Sequence, residues 1–449
     1  MKTKTMVIIL ILFCSFFADT GFSQDLKQYI ADSLGKGHKT IIVPEGKYFV
    51  NGIISFGPKY CGTKVAAENE NVKIFSSQRE PVFSINNVTD FELSGFTLKS
   101  LPESPESKVG FYFQGGGPDW TSGSRAFWVE DSSRIKVSNN HIDGYWIGIY
   151  ITAKATSTSY VDVVNNDITN CGYWSIAARY KTHSKNLIER RLQHISFLEN
   201  KVSNSEQGPV FRNVSYGVMN QNKVFRNIIG IRIEQSLFCV IKDNDISKNL
   251  QSGIFIYHDS NYNHIINNII YDNNLQAARI KRIAKERNCD EDFLPGDIER
   301  FRRHPKNTFR EYADLVGNFT DMLSYNPEYW PYPTAYDFIT PSNRVKNYLD
   351  PKLNKKFWGL YFSQWGAVGI ELRSGSSHNL IEHNKIFNSS PINIKDGYMI
   401  YGIKISHLAV SDSIAKFNII RDNDIENMVS GPVLDVNKRH GIDGENVIK

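Results

Sequence analysis

A short pattern, an asparagine followed by any residue and then isoleucine or valine, returns along this chain at intervals typical of repeat architectures. The copies begin at Asn140, Asn166, Asn200, Asn222, Asn244, Asn268, Asn384 and Asn423. As far as Asn268, successive copies are 26, 34, 22, 22 and 24 residues apart. Recurrence at a spacing of this size indicates a solenoid, in which each coil packs only against its neighbours.

A second element lies between the asparagine turns and consists of a glycine followed by alternating apolar positions. It occurs at Gly148, Gly230, Gly253, Gly369 and Gly402. In the second copy, period-two alternation places Ile231 and Ile233 on one face. Arg232 and Glu234 then lie on the opposite face. Because β-branched residues favour strands and no helix fits between the turns, we expect two strands per coil, stacked in parallel.

The recurring asparagine suits a tight turn between such strands. Asparagine tolerates left-handed backbone angles, and its amide can bond to the backbone or to the asparagine one coil away. We therefore interpret these asparagines as structural.

The first residues after position 24 complete a recognisable pattern. Residues 25–34 (DLKQYIADSL) read as a capping helix, and residues 40–50 (TIIVPEGKYFV) read as a first coil. With the repeats, these segments resemble the pectate-lyase-like superfamily of right-handed parallel β-helices, specifically its secreted bacterial carbohydrate-active members. The resemblance covers roughly residues 25–274 and 357–449. It implies an all-β solenoid with an N-terminal capping helix, and it does not specify one reaction.

The rest of the chain divides into a leader and one insertion. Residues 1–23 have a basic start, an apolar centre and small residues near the end, which is typical of a signal peptide and predicts secretion. The β-helix is then expected over 24–274 and 358–449. Residues 275–357 lose the asparagine and glycine rhythm and are predicted to form a partly helical, lid-like insertion.

The composition narrows the partners. Hydrophobic residues make up 41% of the chain, enough for a large core, and the formal charge of +5 hints at an acidic partner without requiring nucleic acid. Cys61, Cys171, Cys239 and Cys289 form no CxxC pair, which argues against a zinc site. We expect a monomer that binds a polysaccharide or oligosaccharide and has no nucleic-acid partner and no stable membrane insertion.

Aligning the glycine-led strands predicts a row of exterior side chains that could contact a glycan. The row is Glu130, Thr152, Arg179, Arg212, Glu234, Tyr257, then Glu371 or Arg373, then Lys404 and Ser406. His258 and Asp259 follow one of the strands directly. A solvated strand face must also be polar, but several arginines, a tyrosine and a histidine beside the insertion favour a site. Arg179, Arg373, Lys404 and Trp365 are the predicted substrate-binding residues.

Two reactions fit this row, and the sequence favours the first. In β-elimination at a uronic acid, arginines such as Arg212 and Arg232 would neutralise the carboxylate, while Tyr257, His258 or Lys404 moves the proton. Ca²⁺ is the one cofactor suggested, with Asp259 as a ligand.

The second reaction is glycoside hydrolysis, which needs two carboxylates flanking the bond; Glu234 and Glu371 are the predicted pair. An epimerase, which shares the proton abstraction of a lyase, and a non-catalytic glycan-binding β-helix are the remaining alternatives.

Overall fold

The computed structural model describes fifteen stretches of the chain. They are residues 25–77, 80–101, 124–180, 192–205, 207–227, 229–249, 252–273, 368–373, 375–389, 399, 401–406, 414–428, 431–435, 438 and 444–449. The predicted signal peptide, the whole of the predicted insertion, Cys289 and Trp365 lie outside these residues.

An N-terminal helix precedes the strands. Helix α1 spans Leu26–Gly35, and the carboxylate of Asp25 caps it by accepting hydrogen bonds from the backbone N–H groups of Lys27 and Gln28. Leu26 and Ile30 are buried against the first coil. The predicted capping helix is thus confirmed.

The strands, numbered in chain order, form three sheets in which neighbours are parallel. Sheet 1 contains β1 (Thr40–Val43), β4 (Lys64–Ala67), β7 (Thr89–Ser94), β10 (Ser133–Ser138), β13 (Thr158–Val164), β16 (Leu192–Leu198), β19 (Val214–Ser215), β20 (Val218–Asn220), β23 (Val240–Lys242), β26 (His264–Ile266), β29 (Leu380–Glu382), β32 (Ile419–Arg421) and β35 (Val447–Ile448).

Sheet 2 contains β2 (Gly46–Phe49), β5 (Val72–Ser76), β8 (Thr97–Ser100), β11 (His141–Asp143), β14 (Asp167–Thr169), β17 (Lys201–Ser203), β21 (Lys223–Phe225), β24 (Asp245–Ser247), β27 (Ile269–Tyr271), β30 (Lys385–Phe387) and β33 (Asp424–Glu426). Sheet 3 contains β3 (Ile54–Phe56), β6 (Pro81–Asn86), β9 (Arg125–Glu130), β12 (Ile147–Thr152), β15 (Trp174–Arg179), β18 (Val210–Arg212), β22 (Ile231–Glu234), β25 (Ile254–Tyr257), β28 (Val368–Arg373), β31 (Tyr401–Ser406) and β34 (Gly431–Asp435).

Consecutive strands fall in different sheets, and each strand pairs with its counterpart one coil away, so the chain is a parallel β-helix as predicted. The expectation of two strands per coil is wrong, because each coil has three. The missed strands are those of sheet 1, such as Val218–Asn220 and Val240–Lys242. In these later coils the sheet 1 strands are three residues long, too short for alternation to identify them in the sequence, whereas Thr158–Val164 and Leu192–Leu198 have seven residues but follow no repeated motif.

The glycine-led strands form sheet 3 and alternate as expected. Ile231 and Ile233 are fully buried in the core. Arg232 and Glu234, the residues that follow them, lie on the outer face of the sheet, where they pair with each other. The coil therefore has the interior and exterior that the sequence predicts.

The asparagine turns form a hydrogen-bonded ladder between sheets 1 and 2. The side-chain amide of Asn222 donates to Oδ1 of Asn244 at 2.9 Å, and that of Asn200 donates to Oδ1 of Asn222 at 3.1 Å. Each Oδ1 also accepts the backbone N–H of the asparagine one coil earlier. The ladder satisfies buried polar groups at this corner in the described coils from Asn140 to Asn423, which confirms the structural interpretation of these residues.

The coils on either side of the predicted insertion are direct neighbours. Strand β25 pairs with β28 in sheet 3, with Ile254 opposite Ile370, and sheets 1 and 2 continue in the same way. The three sheets therefore continue directly from the coil that ends at residue 273 to the coil that begins at residue 368. Within the described stretches, no helix has the length and apolarity needed to span a membrane.

The structure describes three cysteines, and no disulfide joins any two of them. Cys171 and Cys239 are buried, and Cys61 is partly buried. Burial raises the pKa of the Cys171 thiol to about 12, so it packs as a small apolar side chain.

The glycine of the strand Gly230-Ile-Arg-Ile is required by close packing between coils. A Cβ at Gly230 would lie against the carbonyl oxygen of Gly253, well inside van der Waals contact, and 2.9 Å from Cγ2 of Ile246. We expect Gly230→Ala to lower the free energy of unfolding by about 1–3 kcal/mol. Urea denaturation checks this against Gly57→Ala, where a Cβ meets nothing within 4 Å; equal midpoints in the two variants would contradict it.

Candidate functional site

The outer face of sheet 3 carries the candidate site, and strand register decides which side chains share a row. Arg179 is opposite Arg212, Arg212 is opposite Glu234, and Glu234 is opposite Tyr257. This part of the predicted row is confirmed as a structural alignment.

At the far end of the row, the strand register decides between the alternatives that the sequence left open. Glu371 pairs with Phe255, and Lys404 pairs with Glu371, so both are two residues out of line with Glu234. Continuing the register places Arg373 and Ser406 in the row instead. This offset could not be predicted, because more than 100 residues separate β25 from β28 and no repeat pattern fixes the strand register across that distance.

Two guanidinium groups contact one carboxylate, and a third lies one strand further along the row. We call this group the proximal cluster, which consists of Arg179, Arg212, Arg232 and Glu234. Arg232 contacts Oε2 of Glu234 at 3.0 Å, and Nε of Arg212 lies 3.3 Å from Oε1. Arg179 stands directly opposite Arg212 on the next strand, and burial lowers the pKa of its guanidinium. Like charges on opposite positions repel, so this arrangement suits an additional anion.

A glutamine that the sequence reasoning missed holds Arg232 in place. Oε1 of Gln207 accepts hydrogen bonds from Arg232 at 2.8 Å and from the indole Nε1 of Trp174 at 3.2 Å. Gln207 lies outside the alternating strands and follows no repeated motif, so no sequence signal marks it. Its effect is to fix the direction of Arg232 along the sheet.

Tyr257 and His258 stand next to the proximal cluster. The guanidinium of Arg232 lies over the Tyr257 ring, 4.7 Å from its centre, and the Tyr257 and His258 rings are 4.2 Å apart. His258 is half-buried, and its left-handed backbone conformation turns the chain just after the end of β25. Desolvation, reinforced by the nearby guanidinium groups and opposed by Glu234, lowers its pKa. The neutral imidazole, a proton acceptor, is thus favoured.

A separate group of charges, the distal cluster, consists of Glu371, Arg373 and Lys404. Nε of Arg373 donates to Oε1 of Glu371 at 2.7 Å, and Nζ of Lys404 lies 3.6 Å from the same oxygen. Ser252, another residue that the sequence reasoning missed, donates to Oε2 at 3.4 Å. All three charged side chains are buried, and burial lowers the pKa of Lys404 to about 8.

Two aromatic rings separate these clusters. Phe255 and Tyr257 lie on β25 with ring centres 4.6 Å apart. Arg232 packs over Tyr257, and Arg373 packs over Phe255 at 5.0 Å. The outer face thus alternates between cationic and aromatic surfaces along the helix axis.

Further aromatic residues lie on the other side of the proximal cluster. Trp174 and Tyr150 stack with nearly parallel rings, and Trp146 stacks on Tyr173. Trp128 packs edge-on against Tyr150 and accepts a cation–π contact from Arg125, which the sequence reasoning missed. These residues form a small apolar cluster outside the main core.

The two predicted hydrolytic carboxylates are placed apart. One strand, β25, separates β22 from β28, as expected, but Glu371 is level with Arg232 rather than with Glu234. Their Cα atoms are therefore about 12 Å apart, from about 4.8 Å per strand and about 3.3 Å per residue. Each carboxylate is also engaged by its own cations.

The predicted metal ligand Asp259 is exposed, in a left-handed turn after β25. Among the residues that the structure describes, the one set of three side chains close enough to share a metal ion is Glu382, His383 and Asp422. Both oxygens of Glu382 already accept hydrogen bonds, one from Arg421 and one from His264. Calcium binding at Asp259 stays a prediction.

Comparison with known proteins agrees with the architecture. A family model described as "Right handed beta helix region" matches residues 125–281. The structure of DFA-IIIase from Arthrobacter chlorophenolicus A6 has a TM-score of 0.52 and 11% identity, over 93% of this chain and 88% of that one. Dettilon tailspike protein has a TM-score of 0.51 and 13% identity, over 92% of this chain and 65% of that one.

The mannuronan C-5 epimerase A-module of Azotobacter vinelandii aligns over 96% of this chain and 97% of its own, with 12% identity and a TM-score of 0.47. A search of curated protein sequences gives no match. At these identities the likeness establishes the right-handed parallel β-helix fold alone.

Proposed function

We propose that this protein acts on an acidic polysaccharide and cleaves it by β-elimination at a uronic acid. The observation that carries the proposal is the proximal cluster beside Tyr257 and His258, in which Arg212 and Arg232 contact the Glu234 carboxylate and the third guanidinium group lies on the next strand. The named neighbours include a mannuronan epimerase, a DFA-IIIase and a tailspike protein, which is in keeping with a carbohydrate substrate. The predicted leader, residues 1–23, would deliver the chain to polymers outside the cytoplasm.

The arginines would bind the substrate carboxylate and prepare the neighbouring carbon for deprotonation. Three guanidinium groups and Glu234 sum to two positive charges, so a bound uronate brings the cluster closer to neutrality. Neutralising that carboxylate stabilises the negative charge that develops when the C5 proton leaves. Gln207 keeps Arg232 directed toward this position.

The proton steps fall to the adjacent pair. His258, favoured in its neutral form, accepts the C5 proton, a C4=C5 double bond forms, and the C4–O4 bond breaks. The leaving O4 receives the hydroxyl proton of Tyr257. Water later exchanges protons with both residues and restores their starting forms.

Ultraviolet absorbance from the new double bond tests this reaction directly. Purified protein is incubated with a panel of uronate polymers, and reducing ends are counted in parallel. Absorbance that grows in step with reducing ends supports elimination. New reducing ends without absorbance overturn it in favour of hydrolysis, and deuterium incorporation at C5 without cleavage overturns it in favour of epimerisation.

Hydrolysis by Glu234 and Glu371 has weaker support. Their Cα atoms are about 12 Å apart and two residues out of register, at about 4.8 Å per strand and about 3.3 Å per residue, so the two carboxylates do not stand in one row across the sheet. Each carboxylate also serves as the counter-ion of two cations.

The proposed base predicts a pH profile. Below its pKa His258 is protonated and cannot accept a proton, so activity falls on the acid side. Because desolvation lowers that pKa from 6.5, we expect the acid limb of kcat/KM to lie below pH 6.5. His258→Gln should abolish the limb together with most activity; a limb that persists unchanged in this variant would exclude His258 as the base.

A further inference from the structure

Among its three members, the distal cluster has one more positive than negative charge, which suits the binding of one anion. Glu371 supplies one negative charge, and Arg373 and Lys404 supply two positive charges, all on the outer face of sheet 3. Oε1 of Glu371 is shared, because Arg373 contacts it at 2.7 Å and Lys404 approaches it only to 3.6 Å. A buried ammonium so weakly bonded is costly, and an anionic ligand would offset that cost.

Lys404 is the least satisfied member of this cluster. Its side chain is 1% exposed, and Nζ makes no hydrogen bond within normal distance. Burial lowers its pKa to about 8, so the group is still mainly an ammonium ion at neutral pH. A carboxylate or sulfate accepting from Nζ would supply the missing hydrogen bond.

The spacing of the two clusters matches a sugar chain. Glu371 lies two strands beyond Glu234, which corresponds to about 10 Å along the helix axis at about 4.8 Å per strand. This is about the length of a disaccharide. Phe255 and Tyr257 lie on β25, between the strands of the two clusters. This aromatic pair is a suitable surface for the sugar that lies between the two acidic sugars.

We propose that the distal cluster is a second anion subsite, which binds a carboxylate or sulfate two sugars along the chain from the uronate held by the proximal cluster. This inference rests on the proposed function for the identity of the first uronate. The substrate is then a glycan with acidic groups on sugars i and i+2.

Combining a change in the ligand with a single substitution in the protein distinguishes binding at this subsite from general electrostatic attraction. The probes are a hyaluronan tetrasaccharide, which carries carboxylates on sugars i and i+2, and the same oligosaccharide with one carboxyl group reduced to an alcohol. Binding to the full chain is measured by calorimetry for the parent protein, for Lys404→Met and for the control Lys385→Met. Lys385 is an exposed lysine on sheet 2.

We expect loss of the second carboxylate to weaken binding to the parent protein roughly tenfold or more, from the usual strength of a charged hydrogen bond. In Lys404→Met the two probes should bind equally, whereas Lys385→Met should behave like the parent. Since Glu371 keeps Arg373 as a partner, Lys404→Met should fold, which thermal unfolding verifies.

The outcomes distinguish the two proposals. Equal discrimination between the probes in Lys404→Met and the parent would overturn the subsite, even if uronate polymers are cleaved. If Lys404→Met abolishes the discrimination between the probes but no polymer of the panel gains a double bond, the subsite is supported and β-elimination is overturned.

Discussion

Arg232→Met is expected to lower kcat/KM on a cleaved uronate polymer by about 10²–10³-fold, as for removal of one charge-stabilising donor from an active site. Arg232 contacts Glu234, Gln207 and the Tyr257 ring, so it connects the predicted carboxylate-binding and proton-transfer groups. The loss should fall mainly on kcat, because the developing charge is greatest in the transition state. Initial rates from double-bond absorbance measure it.

Two further variants show whether this loss is chemical. Arg232→Lys keeps the charge but loses the planar fork, and should recover only part of the activity. Arg134→Met removes an exposed arginine paired with Asp90 on sheet 1 and should leave the rate unchanged. Activity of Arg232→Met close to that of the Arg134 variant would exclude the proximal cluster as the catalytic site.

Asn222→Leu is expected to lower the free energy of unfolding by about 2–6 kcal/mol, at about 1–3 kcal/mol for each of the two buried backbone groups that lose this side chain. The substitution removes the acceptor of the backbone N–H and the side-chain amide of Asn200. It also removes the donor to the carbonyl oxygen of Phe197. Urea denaturation followed by circular dichroism gives the midpoint and its slope.

The matched control is Asn220→Leu. Asn220 lies two residues earlier, is only partly buried and bonds through its amide to the neighbouring Gln221. We expect a change below about 1 kcal/mol there, because the groups involved remain in reach of water. Comparable destabilisation by the two substitutions would mean that the ladder does not stabilise the solenoid more than an ordinary surface amide.

The two proposals depend differently on sequence information. The alignment of Arg212, Glu234 and Tyr257 follows from coils of 22 and 23 residues, and the sequence predicted it correctly, together with Arg179 one longer coil of 33 residues earlier. Arg373 and Glu371 could not be assigned to a row, because the coil that leads to them contains a long insertion. The reaction rates of Arg232→Met and the probe binding of Lys404→Met test whether the two clusters act on a substrate.

Local patterns were sufficient for the solenoid itself. The asparagine repeat, the inward direction of Ile231 and Ile233 and the capping helix all depend on residues close together in the chain, where periodicity directly reflects backbone geometry. Tertiary structure alone decided the third strand of each coil, the contact of Gln207 with Arg232 and the offset of Glu371 from Glu234. These features depend on hydrogen-bond register and side-chain packing between coils, and nothing in the spacing of one coil specifies how it meets the next.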